Sequence, residues 1–510
     1  MDLFIFIIII LLIFLTSMIF KQKSSLKRSE ELSQHFYFND NTEEIKQIIN
    51  LYSSNLIKDA EKKAREMILL DSKNLYHHYL LGCILMKESN LSEALQQFKI
   101  ILELMPALEY PRKRMIECYY EMKDYEKTIG ECESYLRTYN YSPEIFEYKD
   151  LLADSYFKTE NNDKAIEIYI KLLSSNTSNI EYLNRLSILF LRKKEPEKTF
   201  EIDKRILAMN NFHQEAVMRT ADFYFDREDY PKALEFFETY NKIKPEDETS
   251  LKIAQCLYYM NRMMDSRAIA TGLLRKNPDN IDIYYLLIKI CKAQSCYERA
   301  IEYAKEAIGL SKDEEEATEN KKTVSSLLLD YGKKWLEKDQ QEISFDYFLE
   351  ALKYDPENAE VYYALAINNQ YAKDYEKAIT MVKKALSFEK KAKYYLLLGY
   401  LFDEENNPIL SRKSFEDVLR LEPNNTEAMS FLGIFYAQEK KYDKAIELFS
   451  DIIKIDKNNQ DAYYNIALCY EYLDNKVRAY EYYKKLLEIN PQHLGAKNNI
   501  DILQWEKIDK

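Results

Sequence analysis

The sequence predicts an all-α fold: an α-solenoid of about thirteen helix-turn-helix repeats preceded by one transmembrane helix. Three observations predict it. First, the 510 residues contain only 8 Gly and 11 Pro, where average glycine usage would supply about 36. Folds with many tight turns, phosphate-cradling loops or short strands are short of their usual residue here. Second, 43 Tyr and a charged fraction of 31% suit long amphipathic helices. Third, a small residue recurs at Ala60, Ala94, Thr128, Ala165, Thr199, Ala233, Ser266, Ala300, Ser344, Ala378, Ser411, Ala445 and Ala479. The spacings are 34, 34, 37, 34, 34, 33, 34, 44, 34, 33, 34 and 34, and a fixed period of this length marks stacked supersecondary units.

Residues 1–20 form a separate object. Leu3 to Phe20 is eighteen residues long with Thr16 and Ser17 its polar members, and as a helix would span about 27 Å, near the thickness of a bilayer core. A cleaved signal peptide would want a basic start and an A-x-A-like site. Asp2 and Thr16-Ser17-Met18 offer neither, so the expectation is an uncleaved anchor. Lys21, Lys23, Lys27 and Arg28 follow it, and the positive-inside rule then keeps the downstream chain cytoplasmic. The expected location is a cell membrane, single-pass, with a polar tether over 21–40. If the segment were cleaved, the repeats would be periplasmic or secreted.

About eight repeats occupy 41–314 and about five occupy 325–493, separated by a charged insertion at 315–324. Residues 494–510, with Leu494, Ile500, Ile502, Leu503 and Trp505 in helical register, read as a capping helix. The repeat from Leu75 carries Leu81, Gly82, Ala94, Phe98 and Pro106; that from Gln214 carries Ala221, Tyr224, Ala233, Phe237 and Pro245; that from Gln460 carries Tyr463, Ala467, Tyr470, Ala479, Tyr483 and Pro491. At these residues the chain resembles the tetratricopeptide repeat family. The resemblance implies a right-handed superhelix in which small residues at repeat positions 8 and 20 let two helices cross closely. Near Asn41 and Glu109, Ile48 and Ile116 replace the small residue, and looser packing is expected there.

Function classes narrow in the same way. The net charge of −13, with no long basic run after the first 30 residues, disfavours nucleic-acid binding. The seven cysteines, Cys83, Cys118, Cys132, Cys256, Cys291, Cys296 and Cys469, form no C-x-x-C pair, which disfavours a disulfide framework and a zinc ribbon. His35, His77, His78, His213 and His493 lack metal-ligand spacing, and no Walker loop, nucleophile elbow or H-E-x-x-H is present. The expectation is a non-enzyme with no cofactor, no metal, no nucleic-acid partner and no small-molecule substrate. Its partners would be other proteins or peptides, together with the membrane through Leu3–Phe20.

The resemblance further implies a concave surface lined by first-helix positions 2, 5, 9, 12 and 13. Carried over residue by residue, it places Asp150, Asp154 and Asp222 inward with Glu117, Tyr120, Phe157 and Phe225. In the distal half it places Tyr285, Tyr363, Ile367, Leu396, Tyr400, Ile434 and Tyr464 inward. The tyrosines either anchor an apolar or aromatic peptide or are merely tolerated at a half-buried surface. Position-2 acids such as Glu181, Glu360 and Glu427 form either an acidic ridge for a basic partner or first-turn complements to the helix dipole. A chaperone-tail clamp is disfavoured, because Lys113 is followed by Glu117 where that subfamily has Asn. The expected function is a membrane-anchored scaffold or adaptor, with an organelle protein-import receptor or an exported repeat protein as alternatives.

Overall fold

The computed structural model describes residues 43–508 apart from 141 and 143, with side chains as far as 503. The expected anchor at 1–20, the tether at 21–40 and the Trp505 side chain lie outside the described residues. Among the described residues there are 27 α-helices and no strand, and no helix is long and apolar enough to cross a membrane. The helices form thirteen hairpins and one final helix. They fall into two compact units, up to Glu246 and from Asp247. The first unit holds six hairpins, from α1 (Glu43–Ser53) with α2 (Ile57–Leu70) to α11 (Gln214–Asp226) with α12 (Tyr230–Ile243). The second holds seven, from α13 (Asp247–Tyr259) with α14 (Met263–Lys276) to α25 (Gln460–Tyr472) with α26 (Lys476–Ile489), followed by α27 (Leu494–Ile508). Within each unit every helix packs on the next in sequence.

The thirteen recurring small residues are all buried, at 0–5% exposure, and each is the fourth residue of a second helix. Five residues before each of them the backbone turns into the left-handed region, at Asn55, Ser89, Lys123, Glu160, Lys194, Glu228, Asn261, Ser295, Asp339, Lys373, Asn406, Lys440 and Asp474, with φ between 55° and 63°. The turn after α5 (Glu109–Glu121) shows its hydrogen bonds: the amide of Lys123 donates to Tyr120 O and that of Asp124 to Tyr119 O, both at 2.9 Å. This Schellman arrangement usually places glycine at the left-handed residue. Asp124 then caps α6 (Tyr125–Thr138) by accepting from the Lys127 amide at 3.3 Å. Among the described residues thirteen tight turns are thus made without glycine, a correction to the inference that scarce glycine argues against such turns.

Glycine is used instead where helices touch. A Cβ on Gly82, Gly332, Gly399 or Gly433 would stand 2.5 to 2.8 Å from the ring of Phe98, Phe348, Phe415 or Phe449, in each case sixteen residues on. The same pair of positions is occupied elsewhere by Ala153 with Tyr169, Ala366 with Val382, and Ala254 with Ala270, all buried. Where the first member is Ile48, Ile116 or Ile288, the second is Ala64, Cys132 or Ala304, buried in the same cluster. Volume is thus shared across the pair. This corrects the expectation of looser packing at Ile48 and Ile116, which are 1% and 0% exposed.

The 37-residue spacing reflects a longer link between α6 and α7 (Ile145–Lys158). The 44-residue spacing reflects α17 (Glu314–Glu337), a 24-residue helix that contains the charged 315–324 segment. Asp313 caps it by accepting from the Glu316 amide at 2.8 Å, and Glu314, Glu315 and Glu316 complement its positive end. The buried Asn320 donates to Ser311 Oγ at 3.0 Å and to Ala307 O at 3.3 Å, tying the extension to the preceding turn.

Candidate functional site

The candidate site is the face formed by successive first helices. Side chains at position 9 lie along it, because they meet neighbours on adjacent first helices. Asp154 on α7 accepts from the Tyr120 hydroxyl of α5 at 2.7 Å and lies 3.7 Å from the Arg185 guanidinium of α9 (Ile180–Arg192).

In the first unit arginines pair with two members of the expected acidic stripe, Asp154 and Glu117. Arg185 also pairs with Glu181 at 3.0 Å. Together with Arg192 it covers the Phe157 ring, at 4.8 and 4.2 Å from the centroid. Burial, then the neighbouring Asp154 charge, pushes the Asp150 carboxyl up from its usual value, against a hydrogen bond from Tyr182. Glu117 is held by Arg114 at 2.7 Å. Asp222 is half-buried on α11 and is itself engaged.

Beneath this face lies a polar cluster that sequence reasoning missed. Asp203 on α10 (Pro196–Met209) is fully buried. It accepts from Ser187 Oγ at 2.7 Å and from Arg219 Nε and Nη2 at 2.9 and 2.7 Å. Arg219 Nη2 also donates to Asn184 Oδ1 at 2.8 Å. The signal was present: Asp203 stands at the position that holds Phe or Tyr in seven other hairpins. A second missed feature is an apolar hollow of about 510 Å³ lined by Ile170, Leu173, Leu186, Phe190 and Ile202.

In the second unit the four expected tyrosines sit on four different first helices, each half-buried. Tyr285, on α15 (Ile281–Ala293), donates to Glu316 of α17 at 3.2 Å. Tyr363, on α19 (Ala359–Tyr371), packs against the Tyr394 ring at 5.0 Å with Lys393 over its face. Tyr400, on α21 (Ala392–Glu404), donates to Glu427 and meets Phe431 edge-on at 5.0 Å. Tyr464, on α25, contacts Tyr483 and His493 at 5.7 and 5.1 Å. The position-2 acids likewise tie helices together. Glu360 accepts from Lys391, Lys393 and Tyr394 at 2.9, 2.7 and 2.8 Å. Burial alone would raise its carboxyl pKa, but these donors outweigh burial and bring it down to about 2. Ile434, on α23 (Thr426–Gln438), remains 39% exposed on the same face.

Tetratricopeptide-repeat family models match residues 146–179 and 396–460. The matched hairpins are tetratricopeptide repeats. A model described as a domain of unknown function (DUF6340) also matches residues 433–505, from the penultimate hairpin into the final helix. The human (Homo sapiens) DnaJ homolog subfamily C member 7 is 25% identical over 150 residues, 28% of this chain and 29% of that protein. Its Mus musculus counterpart matches to the same extent, so the chain spans about 29% of the length of these curated relatives. Among solved structures, YrrB, a tetratricopeptide-repeat protein with an unusual peptide-binding site, is 25% identical. That match covers 34% of this chain and 89% of that one, with a TM-score of 0.31. The Naa15/Naa10 complex bound to HypK-THB is 15% identical, covering 91% and 80%, with a TM-score of 0.38. A repeat protein from Parabacteroides merdae is 17% identical, covering 51% and 98%, with a TM-score of 0.34.

Proposed function

We propose that this chain is a tetratricopeptide-repeat scaffold, held at a membrane by Leu3–Phe20, that binds protein or peptide partners along its first-helix faces. The observation that carries the binding reading is the run of incompletely buried apolar and aromatic side chains on the last four first helices, from Tyr363 and Ile367 to Ile434 and Tyr464. Large flat side chains with one wet edge give contact area at low entropy cost. In the first unit Arg114 and Arg185 pair with Glu117, Asp154 and Glu181, which lowers the negative charge of that face.

Photo-crosslinking residues placed at Ile434 or Tyr400, compared with the exposed second-helix positions Lys444 and Glu447, test the face. Adducts confined to the first-helix positions support the reading, and equal yields reject it. The triple substitution Tyr363, Tyr400 and Tyr464→Ser should weaken binding of a captured partner; unchanged affinity with intact helicity counts against the tyrosines.

Membrane tethering rests on the apolar run and the lysines after it. Carbonate-resistant sedimentation of the full chain, lost when residues 3–20 are deleted, is the expected result. For topology, Cys469 is a poor reporter, being 2% exposed with its thiol pushed up to about 11 by burial. Cys296 is partly exposed, and its labelling from the cytosolic side is expected; labelling only from the opposite side reverses the orientation.

A further inference from the structure

The first-helix face of the second unit changes character along its length. Position 9 carries Gln255 on α13, Lys289 on α15 and Lys333 on α17, then Ile367, Tyr400, Ile434 and Leu468 on the helices that follow. Position 9 is the register at which Tyr400 meets Glu427 of the next first helix. Neighbouring cations are already neutralised, Lys292 by Asp330 at 2.8 Å and Lys393 by Glu360 at 2.7 Å. Lys289 and Lys333 are exposed, and neither makes an ion pair among the described residues. A chain of net charge −13 thus presents two cations without an ion pair among the described residues, followed at position 9 by the uncharged run from Ile367 to Leu468. Uncompensated charge beside apolar surface steers and orients a ligand of opposite sign.

Resting on the reading above, we infer that this face takes an extended peptide with a cluster of carboxylates at one end and apolar side chains beyond it. The carboxylates lie over Lys289 and Lys333, and the apolar part reaches Ile434 and Leu468. The test uses the full chain and three fluorescent peptides: a run of glutamates followed by alternating leucine and serine, the same peptide headed by lysines, and one headed by serines. The glutamate-headed peptide is expected to bind roughly five- to tenfold tighter than the lysine-headed one, with the preference fading in salt. Lys289→Glu with Lys333→Glu should invert that preference. Equal binding of all three peptides, abolished by Ile434→Glu, overturns the inference and leaves the binding face standing. If no peptide binds, both fall.

Discussion

Gly433 and Phe449 show how a single missing Cβ sets a helix crossing. Alanine at 433 would gain about 1 kcal/mol of helix propensity, yet its Cβ would stand 2.6 Å from Phe449 Cζ, and that ring is 1% exposed with nowhere to move. Overpacking of this kind costs about 1–3 kcal/mol, so Gly433→Ala should lower local stability, read as faster hydrogen exchange in α24 (Tyr442–Ile455). In a Phe449→Leu background the same change should cost less. Additivity within about 0.5 kcal/mol would contradict the shared-volume account. Glu360 gives a pH-dependent case. Against burial, its lysine and tyrosine donors hold the folded carboxyl down at about 2, below the usual carboxylate value of 4.5, so the unfolded chain binds the proton first. Its contribution is present above about pH 4.5 and is lost as pH falls through about 2. With the side chain 28% exposed, solvent screening reduces that contribution to about 1–2 kcal/mol. Glu360→Gln should lose that amount at pH 7, and the difference from wild type should vanish towards pH 2. A constant difference over that range would sink the assignment.

Hairpin turns show what single-residue reading misses. The small fourth residue of every second helix is legible because Ala, Ser and Thr stand out against long side chains. The left-handed residue five places earlier is not, because Asn, Asp, Ser, Lys and Glu all fill it and share no chemical signature. Non-glycine residues in this conformation carry strain of about 1–2 kcal/mol, least for Asn and Asp. Glycine relieves it at an entropic cost of about 0.5–1 kcal/mol. Lys123→Gly should therefore stabilise its hairpin by about 0.5–1 kcal/mol, and Asn55→Gly by less; equal or opposite effects in urea denaturation would contradict the strain argument. The pairing of Asp154 with Arg185 was hidden for a related reason. Arg185 and Asp154 are 31 residues apart, so their pairing depends on two hairpins being stacked in register. The fifth hairpin departs furthest from the pattern, with Ser187 and Asp203 where others place Gly and Phe. Arg219→Met would leave the Asp203 carboxylate buried and unpaired, costing about 3–5 kcal/mol. Replacing the set with Ser187→Gly, Asp203→Phe and Arg219→Met should recover most of that loss, since it rebuilds the packing used by its neighbours. A triple variant no more stable than Arg219→Met would show that the polar cluster is irreplaceable.

At the scale of the whole molecule, a fixed period makes stability a sum over neighbours, so each compact unit should stand by itself. The second unit has seven hairpins with a succession of buried clusters of its own, and it finishes in a helix that shields the last hairpin. Ala496 and Leu503 of α27 are buried with Ala467, Ala479, Tyr483 and Leu486, and Asn499 Nδ2 donates to the Tyr483 hydroxyl at 2.7 Å. Of the residues that suggested a capping helix, Leu503 is buried while Leu494 and Ile502 are exposed; the division after Glu246 left no mark in the sequence, because the repeat continues across it with a spacing of 33 residues from Ala233 to Ser266. A fragment of residues 247–510 should fold to a monomeric helical protein. The same fragment stopped at Asn490 should bare Tyr483 and Leu486, apolar surface worth about 2–4 kcal/mol, and associate. Circular dichroism and light scattering separate the outcomes: an unfolded 247–510 would refute independence of the unit. A truncated fragment that stays monomeric and equally stable would show that α27 is not its cap.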